Sequence, residues 1–340
     1  MTSRSRLAVL LAAMFVAMAC TPGAGPSTRP SGSAGTTQPT TAASGAASEA
    51  PTDGVPTDSS SLGPSGDPSP DPSAGGTSCD NLAEGSTDKL AAICDTGVLR
   101  VSTDPNYAPQ SFLNDAGDLV GFDIDVAREI ATRIGVEVEF KTPSFDLVQA
   151  GGWNDRWDVS VGSITVTEAR IERLDFTEPY YFTPAQMSAT ADSGITSIDG
   201  FAGRRICVGA ATTYLDWING DLVLGDGSTP APVPEGIEPV ALETDALCAQ
   251  ALSAGRREFE GFLSSSTTVQ QAIDDGVPIV AVGDPVFFEP LAVATDKSGP
   301  AHQELQAELD RIVRAMHDDG TLTAFSEEWY DGLDLTKSAS

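Results

Sequence analysis

A long segment of this chain lacks the large apolar side chains that a folded domain needs. Between Thr21 and Thr77 the sequence consists almost entirely of Ser, Thr, Pro, Gly and Ala. Such a segment cannot bury enough apolar surface to offset the conformational entropy lost on folding, and its prolines keep it extended. We therefore predict a disordered tether and expect only the region from Cys79 onward to fold.

The residues before this tether predict export. Two arginines precede an apolar stretch from Leu7 to Val16, and small residues follow at Ala17 and Ala19. This is the pattern of a secretory signal peptide, and the apolar stretch is too short to span a bilayer permanently. We predict a signal peptide over residues 1–19 and a mature protein outside the cell.

Cys20 comes directly after the predicted signal peptide. The segment Ala17–Cys20 resembles the bacterial lipoprotein signal, in which the cysteine becomes the lipidated first residue, although that signal usually has Leu at the position of Ala17. An Ala-x-Ala sequence also suits ordinary signal peptidase, so cleavage without lipidation is the alternative. We expect lipidation of Cys20, with residues 20–78 as the tether to the membrane.

The chain has five cysteines, an odd number for an exported protein. Cys20 is the natural one to stay outside a disulfide. The other four, Cys79, Cys94, Cys207 and Cys248, lie in the foldable region, where an oxidising exterior favours disulfides over metal ligation. Four cysteines allow three pairings, and their spacing alone does not choose among them.

The formal net charge of −30 restricts the partners of the protein. Binding to the phosphates of nucleic acid requires an excess of Lys and Arg, so nucleic acid is not an expected partner. Solubility explains the acidity itself, which says little about the charge of one buried pocket.

From Gly97 onward, segments with strand periodicity alternate with segments with helix periodicity. Val98–Ser102 reads as a strand, Phe122–Ile134 has apolar residues at helical spacing, and residues 136–140 alternate with period two. A second unit of the same kind begins with a strand at Arg205–Gly209, and Leu291–Thr295 reads as a strand near the end of the chain. This alternation predicts an α/β fold with a mostly parallel sheet.

Motifs of common catalytic and cofactor sites are missing from the sequence. It has no P-loop, no Gly-x-Gly-x-x-Gly, no His-Glu-x-x-His and no Gly-x-Ser-x-Gly. Its only histidines, His302 and His317, fall in one predicted helix, which gives little support to a Ser-His-Asp triad or a histidine zinc site. We predict no catalytic residue, no metal and no cofactor.

The most specific motif is the segment Gly121–Ala131, which reads G-F-D-I-D-V-A-R-E-I-A. It closely resembles the signature of the polar amino acid family of bacterial extracellular solute-binding proteins, and the resemblance extends over roughly Val98 to Trp329. The resemblance implies the periplasmic-binding-protein type 2 fold, an α/β fold with two lobes joined by two hinge crossovers. Residues 79–181 and 290–336 would form lobe 1, and residues 182–289 would form lobe 2.

This division selects one pairing of the cysteines. Cys79 and Cys94 both fall at the edge of lobe 1, whereas Cys207 and Cys248 both fall in lobe 2. We therefore expect a disulfide within each pair, and neither disulfide would lock the hinges.

The resemblance implies three ligand-binding residues in the first part of lobe 1. The loop Asp104–Pro109, D-P-N-Y-A-P, looks like the first ligand loop of the family and follows a strand, and open α/β sheets bind ligands beyond the carboxyl ends of their strands. The resemblance places Asp104 at the pocket and the ring of Tyr107 against the ligand. Phe145 matches the second aromatic residue of the family, so the two rings would sandwich the ligand's side chain. Packing in the core is the alternative for both rings.

The segment Ser163–Arg170, S-I-T-V-T-E-A-R, resembles the family segment whose arginine binds the α-carboxylate of the ligand. A guanidinium grips a carboxylate with a planar pair of N–H groups that Lys lacks. Ser163 and Thr165 would supply short hydrogen-bonding groups beside Arg170, and Thr167 can cap the following helix. An ion pair at the protein surface is the ordinary alternative for such an arginine.

In lobe 2 the resemblance has one match and one departure. The segment Gly209–Tyr214 resembles the Gly-Thr-Thr segment of the family, whose amides and hydroxyls reach the carboxylate, and Thr213 is the residue expected to do so here. Ser265, which we keep as a candidate ligand-binding residue, stands where the family has an aspartate that pairs with the ligand's α-ammonium. Either Asp104 and neighbouring acceptors replace that aspartate, or the ligand lacks an ordinary α-amino group.

The resemblance implies a monomeric binding protein that closes two lobes around a small carboxylate-bearing solute, an amino acid with a polar or acidic side chain. The hinges are expected near Tyr180–Pro184 and Val286–Pro290. The loaded form would dock on the permease of an ABC importer at the extracellular face of the cell membrane, where the lipid anchor holds the protein. The alternatives are a ligand sensor for a membrane signalling protein and an enzyme similar to cyclohexadienyl dehydratases.

Overall fold

The structure is a computed structural model, and it describes residues 76–338. The predicted signal peptide, Cys20 and nearly all of the predicted tether lie outside the described residues. Ser78, at the end of that tether, is buried, and its backbone N–H donates to the carbonyl oxygen of Arg133 at 3.1 Å. The packed part of the chain therefore begins before Cys79.

The first part of the chain alternates short helices with strands. In chain order these elements are α1 (Lys89–Thr96), β1 (Val98–Ser102), β2 (Asn106–Tyr107), β3 (Ser111–Leu113), β4 (Leu119–Val120), α2 (Phe122–Ile134), β5 (Glu137–Lys141), α3 (Phe145–Gln149), β6 (Val159–Thr165), α4 (Glu168–Ile171), β7 (Leu174–Phe176) and β8 (Tyr181–Thr190). The predicted strand and helix that are now β1 and α2 are confirmed with the predicted bounds. Helix α2 ends where Gly135 adopts a left-handed conformation (φ 95°), and the N–H of Gly135 bonds back to Ala131.

The rest of the chain contains the longest strand of the described residues. Its elements are β9 (Arg205–Gly209), α5 (Thr213–Asn219), β10 (Glu238–Leu242), α6 (Asp245–Ser253), β11 (Leu263–Ser265), α7 (Ser266–Asp274), β12 (Ile279–Asp296), α8 (Gln303–Asp318) and α9 (Thr321–Trp329). The predicted strand β9 is confirmed, whereas β12 runs for 18 residues. Between residues 76 and 338 no helix has the length and apolar character needed to cross a membrane.

The largest sheet has seven strands in the order β11-β8-β12-β6-β1-β5, with β7 paired to β12. Strand β1 pairs in parallel with β5 and β6, as the strand–helix alternation predicts. The pairs of β12 with β6, β7 and β8, and the pair of β8 with β11, are antiparallel. The prediction of a mostly parallel sheet is therefore wrong for this sheet, because β8 and β12 run in opposite directions through it. A separate sheet pairs β9 with β10 in parallel.

The buried apolar side chains divide into separate cores along β8 and β12. One core packs α2 and α8 against β1 and β6, and it includes Tyr181 of β8 and Leu291 of β12. Another core packs around α5 and β9, and it includes Ala185 of β8 and Phe287 of β12. Both strands thus pass from one core to the other over a few residues. This is the two-lobed α/β arrangement of the periplasmic-binding-protein type 2 fold, with its two crossovers in β8 and β12.

Both predicted disulfides are confirmed. Cys79 pairs with Cys94 at a Cα–Cα distance of 5.5 Å, and Cys207 pairs with Cys248 at 5.7 Å. The first disulfide packs beside the core around α2, and the second ties β9 to α6. Each disulfide therefore links elements on one side of the crossovers, and neither includes a residue of β8 or β12.

Candidate ligand-binding site

A cavity lies where the carboxyl ends of β1 and β6 face the start of α5. Its lining includes every predicted ligand-binding residue except Ser265. Asp104 and Tyr107 reach it from the segment after β1, Ser163 from the end of β6, and Thr213 from the first turn of α5. Open α/β sheets bind ligands at this edge, so the cavity is the candidate ligand-binding site.

Arg170 is a buried guanidinium that no carboxylate contacts directly. It is 2% exposed, and no carboxylate oxygen of the described chain lies within 4.0 Å of its side-chain nitrogens. Its hydrogen bonds go to neutral oxygens: Nη1 to the Thr165 carbonyl (3.0 Å), Nη2 to the Ala211 carbonyl (3.2 Å) and Nε to the Gln149 amide (3.4 Å). Burial lowers the pKa of Arg170, because it disfavours the charged form. A guanidinium has five N–H groups, so about two are left for a ligand carboxylate.

The rings of Phe145 and Tyr107 both line the cavity. The guanidinium carbon of Arg170 lies 5.2 Å from the centroid of the Phe145 ring, which is a cation–π distance. The Phe145 ring also packs beside the small core that contains Trp153. The hydroxyl of Tyr107 lies 3.1 Å from the hydroxyl of Tyr214. Phe145 therefore supports Arg170, while Tyr107 joins a group of hydroxyls.

Ser163 holds an unusual backbone conformation in the cavity wall. Its φ is 54°, a region that residues other than glycine rarely adopt, and its N–H donates to the hydroxyl of Tyr180 at 3.1 Å. The Ser163 hydroxyl and the Tyr180 hydroxyl each donate to Asp123 at 2.7 Å. Burial raises the pKa of Asp123 to about 7. Because Asp123 belongs to the segment that carries the family signature, that segment shapes the cavity wall as well as beginning α2.

A carboxylate that the sequence argument did not predict lies among the hydroxyl groups of the cavity. Glu289, in β12, is 2% exposed. Its Oε1 accepts hydrogen bonds from the hydroxyls of Thr165 (2.7 Å) and Thr213 (2.5 Å). Its Oε2 accepts from the hydroxyl of Tyr214 (2.6 Å) and, at 3.5 Å, from Thr183. The two predicted hydroxyls, from β6 and from α5, thus meet at one carboxylate.

Two further acidic side chains in the cavity lining accept backbone hydrogen bonds. Asp104 accepts from the N–H of Asn106 at 2.8 Å, and Asp245 accepts from the N–H of Gly209 at 2.6 Å. Burial raises the pKa of both carboxyls, that of Asp245 to about 7. Arg170 is the single basic side chain among the described residues of the lining, so acidic groups outnumber basic ones there.

Ser265 lies outside the cavity lining. It is fully buried at the end of β11, and its hydroxyl accepts from the N–H of Thr268 at 3.3 Å, which caps α7. The same hydroxyl lies 3.0 Å from the Thr267 hydroxyl and 3.0 Å from the side-chain amide of Gln110. Its hydrogen-bonding capacity is therefore used between α7 and the segment that precedes β3.

Glu289, Tyr214 and Asp245 are cavity residues that the sequence argument missed. Glu289 is the one acidic residue in the run V-F-F-E-P-L-A-V-A-T, which spans Val286–Thr295, and an acidic residue inside a buried strand requires polar partners. An acidic residue in an otherwise apolar run is thus a sequence signal that could have identified Glu289 as a candidate site residue. Tyr214 and Asp245 stand at helix starts, where capping and packing already explain a polar residue. Over residues 76–338, no group of three or more His, Cys, Asp or Glu side chains is arranged to hold a metal ion.

Comparisons with known proteins give the family and the fold. The family model of the bacterial extracellular solute-binding proteins, family 3, matches residues 99–332. The L-cystine-binding protein TcyJ of Escherichia coli (strain K12) is 26% identical over 250 residues, which cover 73% of this chain and 88% of TcyJ. A probable amino-acid ABC transporter-binding protein of Haemophilus influenzae is 27% identical over 252 residues, or 71% of this chain and 88% of that protein. The structure of an ancestral arginine-binding protein bound to arginine superposes with a TM-score of 0.59 and 25% identity, covering 69% of this chain and 98% of that one.

These comparisons also bear on catalysis. Each of the three proteins is named for binding and none for a reaction. The family match spans both cores, the crossovers in β8 and β12, and the cavity between β6 and α5. The chain belongs to the bacterial extracellular solute-binding proteins, family 3.

Proposed function

We propose that this protein captures a small carboxylate-bearing solute, an amino acid, outside the cell and delivers it to the permease of an ABC importer. The observation that carries the proposal is the buried guanidinium of Arg170, which lines the cavity and has no carboxylate of the described chain within 4.0 Å. A buried charge without a counter-ion is costly, and a bound carboxylate removes that cost. Two parallel N–H contacts to the carboxylate would use the donors that Arg170 does not give to neutral oxygens.

The names of the similar proteins support both the amino acid and the importer. One binds L-cystine, another is described as a probable amino-acid ABC transporter-binding protein, and the ancestral structure holds arginine. Cystine and arginine share an α-carboxylate beside an α-amino group. On this ground we propose transport rather than sensing as the role of the captured ligand.

Binding would proceed by closure of two lobes about β8 and β12. We propose residues 79–181 and 290–336 as lobe 1 and residues 182–289 as lobe 2, since the hydrophobic core changes within these two strands. A ligand between Arg170 of lobe 1 and Thr213 of lobe 2 would contact both lobes. Those contacts would shift the equilibrium toward the closed form.

We also propose that the protein acts as a monomer at the extracellular face of the membrane, held by a lipid on Cys20. The support comes from the sequence, in which a signal-peptide pattern ends at Cys20 and a long Ser/Thr/Pro/Gly/Ala-rich segment follows. Such a segment is long enough to let the folded lobes reach a permease beside the anchor.

Arg170→Ala tests the proposed function. Calorimetry against the proteinogenic L-amino acids and L-cystine should identify a ligand for the wild type, and the variant should bind it at least ~100-fold more weakly, because the ligand carboxylate loses its buried counter-charge. Arg173→Ala is the matched control, since Arg173 is exposed and lies three positions further on. Thermal unfolding would verify that both variants are folded. Unchanged affinity in the Arg170 variant would show that the carboxylate binds elsewhere.

A further inference from the structure

Glu289 is a buried cavity carboxylate that no basic side chain of the described residues contacts. It is 2% exposed, and no Lys, Arg or His nitrogen among residues 76–338 lies within 4.0 Å of its oxygens. Asp104 and Asp245 differ from it, because each accepts a backbone N–H. Glu243, the other acidic residue in the lining, is exposed to solvent. The partners of Glu289 are hydroxyl groups alone.

Three of these hydroxyls, those of Thr165, Thr213 and Tyr214, direct their protons at Glu289. Thr165 and Thr213 each have one hydroxyl proton and donate it to Oε1. Tyr214 donates its only hydroxyl proton to Oε2. In the 3.1 Å contact between the two phenols, Tyr107 must therefore be the donor and Tyr214 the acceptor. The hydroxyls of Tyr107, Thr165, Thr213 and Tyr214 have therefore donated their protons, and they offer a ligand in the cavity only acceptor lone pairs.

A wall of acceptors suits a cation rather than an anion. An ammonium group has three donors and no acceptor, whereas a ligand carboxylate would find no free proton on these hydroxyls. The carboxylate finds its donors at Arg170 instead. Arg170 and Glu289 attract each other across the cavity, but they form no ion pair within 4.0 Å and their donor and acceptor atoms do not meet. The cavity thus offers separate sites for a positive and a negative group of one zwitterionic ligand.

We propose that Glu289 is the counter-charge for the ligand's ammonium group and makes that group a requirement for binding. This inference rests on the proposed function, since it presumes an amino acid held by Arg170. It gives a structural answer to the departure at Ser265, because the carboxylate missing at the end of β11 is supplied from β12. It also argues against an acidic side chain on the ligand, which would meet Asp104, Asp245 and Glu289 in the cavity lining.

Glu289→Gln tests this inference with two probes. One probe is the L-amino acid that binds the wild type most tightly, and the other is its analogue without the α-amino group, such as glutaramate for L-glutamine or dithiodipropionate for L-cystine. The wild type should prefer the amino acid by at least ~100-fold, since the analogue leaves the buried carboxylate unpaired. In the variant the amino acid should bind ~100-fold more weakly and the analogue equally well or more tightly. Glu238→Gln, an exposed residue with the same charge change, should keep the wild-type preference.

The outcomes separate this inference from the proposed function. A folded Glu289→Gln protein that keeps the wild-type preference overturns the role of Glu289, even when Arg170→Ala abolishes binding. Wild-type protein that binds none of the amino acids overturns the proposed function and this inference together. Should Glu289→Gln fail to fold, Glu289→Asp retains the charge but withdraws the carboxylate, and unchanged affinity for the amino acid in that variant also overturns the inference.

Discussion

Folding stabilises the protonated form of the Asp123 carboxyl group. Its side chain is fully buried, and burial raises its pKa to about 7 although the hydrogen bonds from Ser163 and Tyr180 oppose the rise. In the unfolded chain the pKa returns to an ordinary value of about 4. Because the folded pKa is the higher one, the group contributes most to stability below about pH 4. That contribution is lost as the pH rises to about 7.

Asp123→Asn should remove this part of the pH dependence. Between about pH 4 and pH 7 the wild type should lose on the order of 4 kcal/mol of unfolding free energy relative to the variant, because an amide does not titrate. Urea unfolding of both proteins at several pH values measures the difference. Asp284→Asn, at an exposed position, serves as the control and should run parallel to the wild type. Parallel curves for Asp123→Asn as well would show that Asp123 ionises without cost to the fold.

Local motifs predicted some cavity residues and could not predict others. Arg170 was found because its neighbours in sequence form a recognisable segment, and the structure places it in the cavity lining. Glu289 has no such segment, since its partners Thr165 and Thr213 lie 124 and 76 positions away. Contacts between side chains that distant arise only once β6, α5 and β12 are packed together. A single sequence therefore shows that Glu289 is an acidic residue in an apolar run, but it does not show which side chains bond to it.

The two long strands β8 and β12 are the elements that sequence patterns described least well. Only residues 291–295 were predicted as strand. Proline lacks an N–H and normally excludes a residue from the middle of a sheet, yet Pro184 pairs with Phe288 and Pro290 pairs with Phe182. The register between the two strands also shifts between Val282 and Phe287. The extent of each strand therefore depends on its pairing with the other strand, which lies about a hundred residues away in sequence, and a local sequence pattern does not show that pairing.

A group of three charged side chains joins α1, β1 and the segment before β6. Asp158 is 2% exposed, and Arg100 donates to it from Nε at 3.0 Å and from Nη2 at 2.6 Å. The ammonium nitrogen of Lys89 lies 3.5 Å from the same carboxylate, and Lys89 is only 9% exposed. Lys89 also lies 3.2 Å from Asp155, whose side chain is 54% exposed. Asp158 is therefore the buried anion that compensates two cations.

Asp158→Asn should destabilise the protein substantially. The substitution leaves the nearly buried ammonium of Lys89 without its buried counter-charge, which typically costs about 3 kcal/mol of unfolding free energy. The control is Asp155→Asn, which removes the exposed partner of the same lysine and should cost less than about 1 kcal/mol. Guanidinium-chloride unfolding of the three proteins measures both losses. Equal and small losses would mean that solvent, rather than Asp158, compensates Lys89.

At the scale of the whole molecule, the described structure is a closed arrangement in which segments from both cores meet across the cavity. The N–H of Glu168 donates to the carbonyl of Val223 at 3.1 Å, and the N–H of Gly225 donates to the carbonyl of Val166 at 3.0 Å. The two-lobed fold itself could be predicted, because its family signature lies in one short segment. The closed arrangement could not be predicted, because it depends on backbone contacts between parts of the chain that are distant in sequence.

Closure places the charges of Arg170 and Glu289 in a space largely shut off from solvent, so an empty closed form carries an electrostatic cost that a zwitterionic ligand removes. We therefore expect the ligand-free protein to populate a more open form and the amino acid to shift it to the closed one. Small-angle X-ray scattering should show a smaller radius of gyration at saturating amino acid, and at about 100 times Kd the ligand should add roughly 2.7 kcal/mol to the unfolding free energy. Arg170→Ala, at the same ligand concentration, should show at most half of the contraction and gain no more than about 0.4 kcal/mol of unfolding free energy, because ~100-fold weaker binding leaves it at most half saturated. If the wild type has the same radius of gyration with and without ligand, the lobes are already closed before binding. The ligand would then enter without a hinge motion.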